Sequence, residues 1–177
     1  MDSDQELIEL VNQGDPDAFE VLYRRYRDWV YHLAWRFTGN QQDALDVLQE
    51  TFTYLLGKFP GFSLTASMTT FLYPVVRHIS STIRSKSRRF TSDEEILGES
   101  TAPALKDTQS SRSELAAVLT VLPDEQREVL LMRFVDAMSL QEIAKALNIP
   151  IGTVKSRLHH ALKRLRQDRG TQDYFLE

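Results

Sequence analysis

The chain has 177 residues, of which 42% are hydrophobic and 26% charged, with seven glycines, six prolines and a net charge of −4 at pH 7. That balance belongs to a folded protein of one or two small domains and excludes a largely disordered chain. The absence of cysteine excludes disulfides, thiolate metal sites and cysteine nucleophiles, and fits a reducing compartment.

The opening segment MDSDQELIEL is acidic and lacks the apolar core of a signal peptide. No stretch approaches the roughly 20 apolar residues of a membrane span, so the expected location is the cytoplasm, with no membrane segment. Although the chain is acidic overall, its charge is unevenly spread. Residues 77–90 hold five cations (Arg77, Arg84, Lys86, Arg88, Arg89) and no acid, and residues 143–167 hold six (Lys145, Lys155, Arg157, Lys163, Arg164, Arg166), again with no acid. Each basic run by itself fits a solvated helix face at least as well as a surface for an anionic partner, and the motifs around it decide between the two.

In chain order, Asp15-Pro16-Asp17 sets a capping acid before a proline suited to the first helical position. Phe19, Leu22, Tyr23, Tyr26, Val30, Leu33 and Phe37 follow at helical spacing. Thr38-Gly39-Asn40 interrupts that helix. Asn40 then caps a second, with Ala44, Val47, Leu48, Phe52, Leu55 and Leu56 inward and Asp43, Asp46, Gln49 and Glu50 on the polar face. Phe59-Pro60-Gly61 is expected to end it. A third helix carries Leu72, Val75, Val76, Ile79 and Ile83, and Pro74 requires either a start near Tyr73 or a kink.

Residues 91–113 are polar, acidic and aperiodic, as a flexible linker is. The chain is therefore expected to be all-α, with two small helical domains on either side of this tether. After it, Leu115, Val118, Leu119 and Leu122 mark one amphipathic helix. Pro123-Asp124-Glu125 opens another, carrying Val129, Leu130, Met132, Arg133 and Phe134.

The strongest local pattern follows. Ser139-Leu140-Gln141-Glu142 is a capping box for a short helix to Leu147. Ala144 is small enough for a close helix crossing, Asn148 suits a left-handed turn, and Pro150 stops the first helix. Thr153 is expected to cap the next. These features at this spacing predict a helix-turn-helix. In its second helix Val154, Leu158, Ala161, Leu162 and Leu165 face inward, leaving Lys155, Ser156, Arg157, His159, His160, Lys163 and Arg164 to solvent. A major groove admits such a helix. Lys155, Ser156, Arg157 and His159, near its start, would approach base edges. Thr153 and the free N–H groups suit phosphate, while Lys163, Arg164 and Arg166 add attraction to the backbone.

No phosphate-binding glycine loop, nucleophile elbow or metal-ligand spacing is present, and His159 and His160 are adjacent rather than on one helix face. No catalytic residue, metal or cofactor is expected.

From Leu122-Pro123 and Gln126-Arg127-Glu128-Val129, through Ser139-Leu140 and Glu142-Ile143-Ala144, to Ile149-Pro150-Ile151-Gly152-Thr153-Val154-Lys155-Ser156-Arg157-Leu158-His159, the chain resembles sigma region 4. Ala18-Phe19, Leu22-Tyr23, Tyr26, Asp43-Ala44, Asp46-Val47, Gln49-Glu50, Phe52 and Phe71-Leu72-Tyr73 resemble sigma region 2 in order and spacing. The chain is thus similar to the extracytoplasmic-function sigma factors. The resemblance divides it into region 2 over 1–90, the linker 91–113, region 4 over 114–170, and a short tail 171–177.

What the resemblance implies is an alternative sigma factor. Asp43, Asp46, Gln49 and Glu50 would bind the clamp helices of core RNA polymerase, region 4 would pack on the flap, and an anti-sigma factor would control the protein. The third helix and its preceding loop would meet the promoter −10 element through Phe62, Thr69, Phe71, Tyr73, Arg77, His78, Arg84 and Lys86, and the second helix of the helix-turn-helix would meet the −35 element. The sequence departs from the family pattern at Phe71, Pro74, His78, Thr82-Ile83 and the loop Ser63-Leu64-Thr65-Ala66. In the linker, Asp93, Glu94, Glu95 and Glu99 would either imitate RNA charge or form an inert tether. Two other readings fit parts of the pattern: a helix-turn-helix regulator independent of polymerase, and a degenerate sigma-like module that binds partners without reading promoters.

Overall fold

The computed structural model describes residues 2–91 and 119–168, and it contains seven helices and no strand among them. Most of the stretch 91–113, the residues Leu115 and Val118, and the tail lie outside the described residues. The helices belong to two compact units, one within Met1–Ser100 and one within Thr101–Glu177.

The first unit begins with a helix that sequence reading missed. α1 (Asp4–Asn12) starts in a capping box: Glu6 N–H donates to the Ser3 hydroxyl, and Ser3 N–H donates to the Glu6 carboxylate. These bonds hold the exposed Glu6 carboxyl below its ordinary range. Leu7, Ile8 and Val11 are buried on one face. Asp4 accepts from Arg25 at 2.5 Å and from the Tyr26 hydroxyl, which fastens α1 to the next helix. Burial first, and then this bond to Asp4, raises the Tyr26 hydroxyl above the ordinary tyrosine range.

α2 (Pro16–Thr38) starts as expected, with the Asp15 side chain accepting from Asp17 and Ala18 and with Pro16 in the first turn. Gly39 ends it at φ 79°, where a side chain would be strained. α3 (Gln41–Leu56) is capped by Asn40, whose oxygen accepts from Asp43 N–H at 2.8 Å. It stops at Gly57, earlier than Phe59-Pro60-Gly61 predicted. Leu56, expected inside, is 51% exposed.

α4 (Met68–Thr91) does not wait for the proline: it begins six residues earlier and runs through Pro74. Pro74 has no N–H to offer the Thr70 carbonyl, so this turn lacks one ladder bond. Met68, Leu72, Tyr73, Val76, Ile79 and Ile83 nevertheless form a continuous buried face that packs on α2 and α3. Burial of that face outweighs a local defect on the order of 3 kcal/mol.

In the second unit a helical turn at residues 119–120 precedes α5 (Asp124–Phe134). Arg127 donates to the carbonyls of Leu119 and Leu122 at 2.9 and 2.8 Å, satisfying acceptors at the end of that turn. α6 (Leu140–Leu147) carries the predicted capping box: Glu142 N–H donates to the Ser139 hydroxyl and Ser139 N–H to the Glu142 carboxylate. Asn148 is left-handed at φ 52°, ψ 48°, as the turn requires. α7 (Ile151–Gln167) follows Pro150. Leu122, Leu130 and Ala161 form a core that Leu119, Leu158, Leu162 and Leu165 complete.

Candidate nucleic-acid and protein interfaces

In α7, the first helical residue is Ile151 and the cap position belongs to Pro150, which offers no side-chain cap. Thr153 is therefore not the cap that its residue type predicted. It lies inside the first turn, half-buried, with its N–H donating to the Pro150 carbonyl at 2.9 Å. The open N–H groups of this helix start belong to Ile151 and Gly152.

Lys155, Ser156, His159, His160, Lys163 and Arg164 are exposed, as expected of a groove-facing helix. The rings of His159 and His160 meet edge to face at 5.6 Å, in spite of their adjacency. Arg157 corrects the expectation. Its side chain is only 23% exposed and its Nη2 lies 2.5 Å from Glu125 Oε2 on α5. A guanidinium held this way braces two helices. Glu125, 70% exposed, sits too far away in sequence for helical periodicity to have paired it with Arg157.

The acidic face of α3 is intact. Asp46, Gln49 and Glu50 are exposed, and Asp43, half-buried, accepts from Asn40 Nδ2 at 2.9 Å. All four line an open groove of about 1020 Å³ whose other wall carries Ile83 and Lys86 of α4. Lys86, predicted for the −10 surface, thus borders the carboxylates predicted for polymerase. An electronegative groove beside one cation suits a basic partner.

The remaining −10 candidates separate into exposed and packed groups. Arg77, His78 and Arg84 are exposed on α4. Arg84 also donates to the Phe37 carbonyl at 3.1 Å, placing a cation at the C-terminal end of α2. Thr69 is half-buried, with its hydroxyl 3.1 Å from that of Ser67.

Tyr73 is a correction: it is 2% exposed and packs edge-on against Phe37 at 6.0 Å, so its ring belongs to the core and offers no stacking face. Phe62 and Phe71 are half-buried and packed together at 4.9 Å. Phe62 continues to Phe59 at 5.4 Å and Phe59 to Phe19 at 6.3 Å. On the other side Phe71 stacks with exposed Tyr54 at 6.5 Å, and Lys58 sits 4.4 Å above the Tyr54 ring. Tyr54 and Lys58 were not singled out in the sequence, because Tyr54 lies on α3 and Lys58 just past its end, before the expected site rather than within it.

No group of three or more metal-ligating side chains occurs among the described residues. No described helix is long and apolar enough to cross a membrane.

Comparison with known proteins matches two family models to the two units: "Sigma-70 region 2" over residues 22–90 and "Sigma-70, region 4" over residues 112–165. The chain is 31% identical over 175 residues to the ECF RNA polymerase sigma factor SigW of Bacillus subtilis, covering 90% of this chain and 93% of that protein. Its fold is similar to that of CnrH in complex with the cytosolic domain of CnrY, with a TM-score of 0.69, 21% identity and coverage of 92% of this chain and 94% of that one. It is also similar in fold to the sigma factor RpoE in complex with the anti-sigma factor NepR from Bartonella quintana, with a TM-score of 0.63, 24% identity and coverage of 85% and 98%.

Proposed function

Because the chain belongs to the ECF RNA polymerase sigma factors, a family shown by its two region matches and its SigW-like relative, we propose that it joins core RNA polymerase and selects promoters through −10 and −35 elements. The helix-turn-helix of α6 and α7, with a solvent-facing row of Lys155, Ser156, His159, His160, Lys163 and Arg164, is the observation that carries this reading. Such a helix fits a major groove, and its cations supply salt-dependent attraction to phosphate. The −35 element is read there, with the open N–H groups of Ile151 and Gly152 facing phosphate.

The first unit supplies the polymerase contact. Asp43, Asp46, Gln49 and Glu50 bind the clamp helices, which is why an acidic groove survives on a DNA-binding protein. The −10 element meets the loop after α3 and the exposed cations of α4, with Phe62 and Phe71 as a partly open aromatic surface for unstacked bases. Region 2 acts over 1–90, region 4 over 114–170, and 91–113 tethers them. An anti-sigma factor holds the protein inactive, as RpoE and CnrH are seen with partner proteins. Bond-making belongs to the polymerase; this chain has no enzymatic activity of its own and works in the cytoplasm.

Reconstitution tests the reading. Core polymerase with the added chain should initiate from a specific subset of a genomic promoter library. Polymerase binding without initiation would reduce the protein to a sigma-like interaction module. Tight duplex binding with no affinity for polymerase would make it an ordinary regulator.

A further inference from the structure

The loop between α3 and α4 carries Phe62, yet few bonds within the loop itself hold it. Its first residues continue the end of α3, with Lys58 N–H donating to Leu55 and Phe59 N–H to Leu56. Beyond Pro60, the bonds that set its path come from a side chain some fifty residues away. Asn12, at the end of α1, accepts from Gly61 N–H at 2.6 Å and from Phe62 N–H at 3.1 Å, and donates from Nδ2 to the Phe62 carbonyl at 2.8 Å. One amide thus satisfies both backbone groups of Phe62 and one of Gly61, a residue at φ 98°.

Ring packing of Phe62 on Phe59 and Phe71 holds the side chain but leaves the backbone of Gly61 and Phe62 to these bonds. Between the α1–α2 turn and the loop lies an open groove of about 520 Å³, bordered by Val11, Phe19, Leu56 and Phe59. Hydrogen bonds across a groove are directional where an apolar contact is not, so they set the position and direction of the Phe62 backbone. α1 is itself fixed at its other end by Asp4 to Arg25 and Tyr26. It forms a strut from α2 to the loop.

We propose that Asn12 is a positioning residue for −10 recognition: it presents Phe62, and through Phe62 its ring neighbour Phe71, in the geometry that receives an unstacked promoter base. This rests on the reading that the loop meets the −10 element. The contribution is preorganisation, since a loop already in its bound shape loses less entropy when the base docks.

The test uses holoenzyme reconstituted with the full chain, either wild type or carrying Asn12→Ala, Asn12→Asp or Phe62→Ala. The DNA is a set of promoters that the wild-type holoenzyme selects from a genomic library, with single-base variants of each element. Asn12→Ala should lower open-complex formation on the order of tenfold, the effect of losing a small hydrogen-bonded cluster, and flatten −10 base preference. Core affinity and −35 preference should stay at wild-type values, while the thermal midpoint falls modestly with the lost hydrogen bonds. Asn12→Asp keeps the acceptor for Gly61 and Phe62 but loses the donor, and should fall between the two. It carries the test alone if the alanine variant does not fold, with an unchanged −10 preference then overturning the proposal. Asn12→Ala with intact −10 preference overturns it as well, and so does a loss shared equally by −10 use, −35 use and core affinity, which marks a general structural role. If Phe62→Ala flattens −10 preference while Asn12→Ala does not, the Asn12 proposal alone falls. If neither does, the −10 reading of the loop falls with it.

Discussion

Arg157 Nη2 on the recognition helix lies 2.5 Å from Glu125 Oε2 in the first turn of α5. The pair joins α7, the second helix of the helix-turn-helix, to α5, and it changes what Arg157 is expected to do. With Nη2 on the carboxylate and the side chain only 23% exposed, Arg157 presents less of its fork for a bidentate contact with guanine, which is the usual way arginine reads a base. Arg157→Ala should therefore weaken −35 binding at all sequences alike, through a less firmly held α7. Measured over single-base variants of the −35 element, its penalties should parallel those of the wild type. Because Glu125 is 70% exposed, a double-mutant cycle with Glu125→Ala should give a coupling of about 0.5 kcal/mol, the scale of solvent-screened pairs.

Lys155 is exposed near the start of α7 and makes the opposite prediction. Lys155→Ala should flatten preference at one −35 position, costing about 1–3 kcal/mol there. Lys163→Ala, farther along the helix, should weaken binding uniformly and reduce the slope of log K against log salt by about 1. Titrations at several salt concentrations separate the two.

Glu50 is exposed in the groove shared by α3 and α4. Reversing its charge by Glu50→Lys should leave the folded protein within about 0.5 kcal/mol of wild type, as a surface change does. Core polymerase affinity should drop at least tenfold, because a like charge now faces a basic partner. Thermal melting and polymerase pull-down, done on the same preparation, check both halves.

Thr51 is fully buried in α3, and its hydroxyl has no hydrogen-bond partner among the described residues. A buried, unpaired hydroxyl is a cost, whereas valine of the same shape removes it. Thr51→Val should stabilise the protein by about 1 kcal/mol in urea unfolding, with polymerase binding unchanged.

Tyr26 provides a pH signature. Burial and the bond to Asp4 raise its hydroxyl above the ordinary tyrosine value. A group with a raised folded pKa stabilises the fold fully below its unfolded pKa and loses that contribution as pH climbs through the folded one. The contribution of Tyr26 should thus be constant up to about pH 10 and decline above it. Tyr26→Phe should cost about 1 kcal/mol at neutral pH and remove one late-titrating phenolate from the alkaline ultraviolet titration.

The helix-turn-helix was determined by the sequence itself, because its devices are local. Ser139 meets Glu142 three residues on, Asn148 adopts its own left-handed turn, and Pro150 acts on its immediate neighbours. The same holds for Asp15 and Asn40 as caps of α2 and α3. The capping box of Ser3 and Glu6 was equally readable, as were Leu7, Ile8 and Val11 on the buried face of α1, so this helix was legible in the sequence although it was missed. Tertiary structure alone decided the roles that depend on distant partners. Tyr73 looked like a stacking residue until Phe37 covered it, and Arg157 looked like a base reader until α5 brought Glu125 to it. Helix α4 passes through Pro74 because its buried face is stabilised by α2 and α3, a gain that no local rule contains. Asn12 is the furthest case, since a polar residue ending a short helix shows nothing of the loop fifty residues later whose backbone it holds. Periodicity and capping report the chain's nearest neighbours along the sequence; which surface remains open is decided by what folds back to cover it.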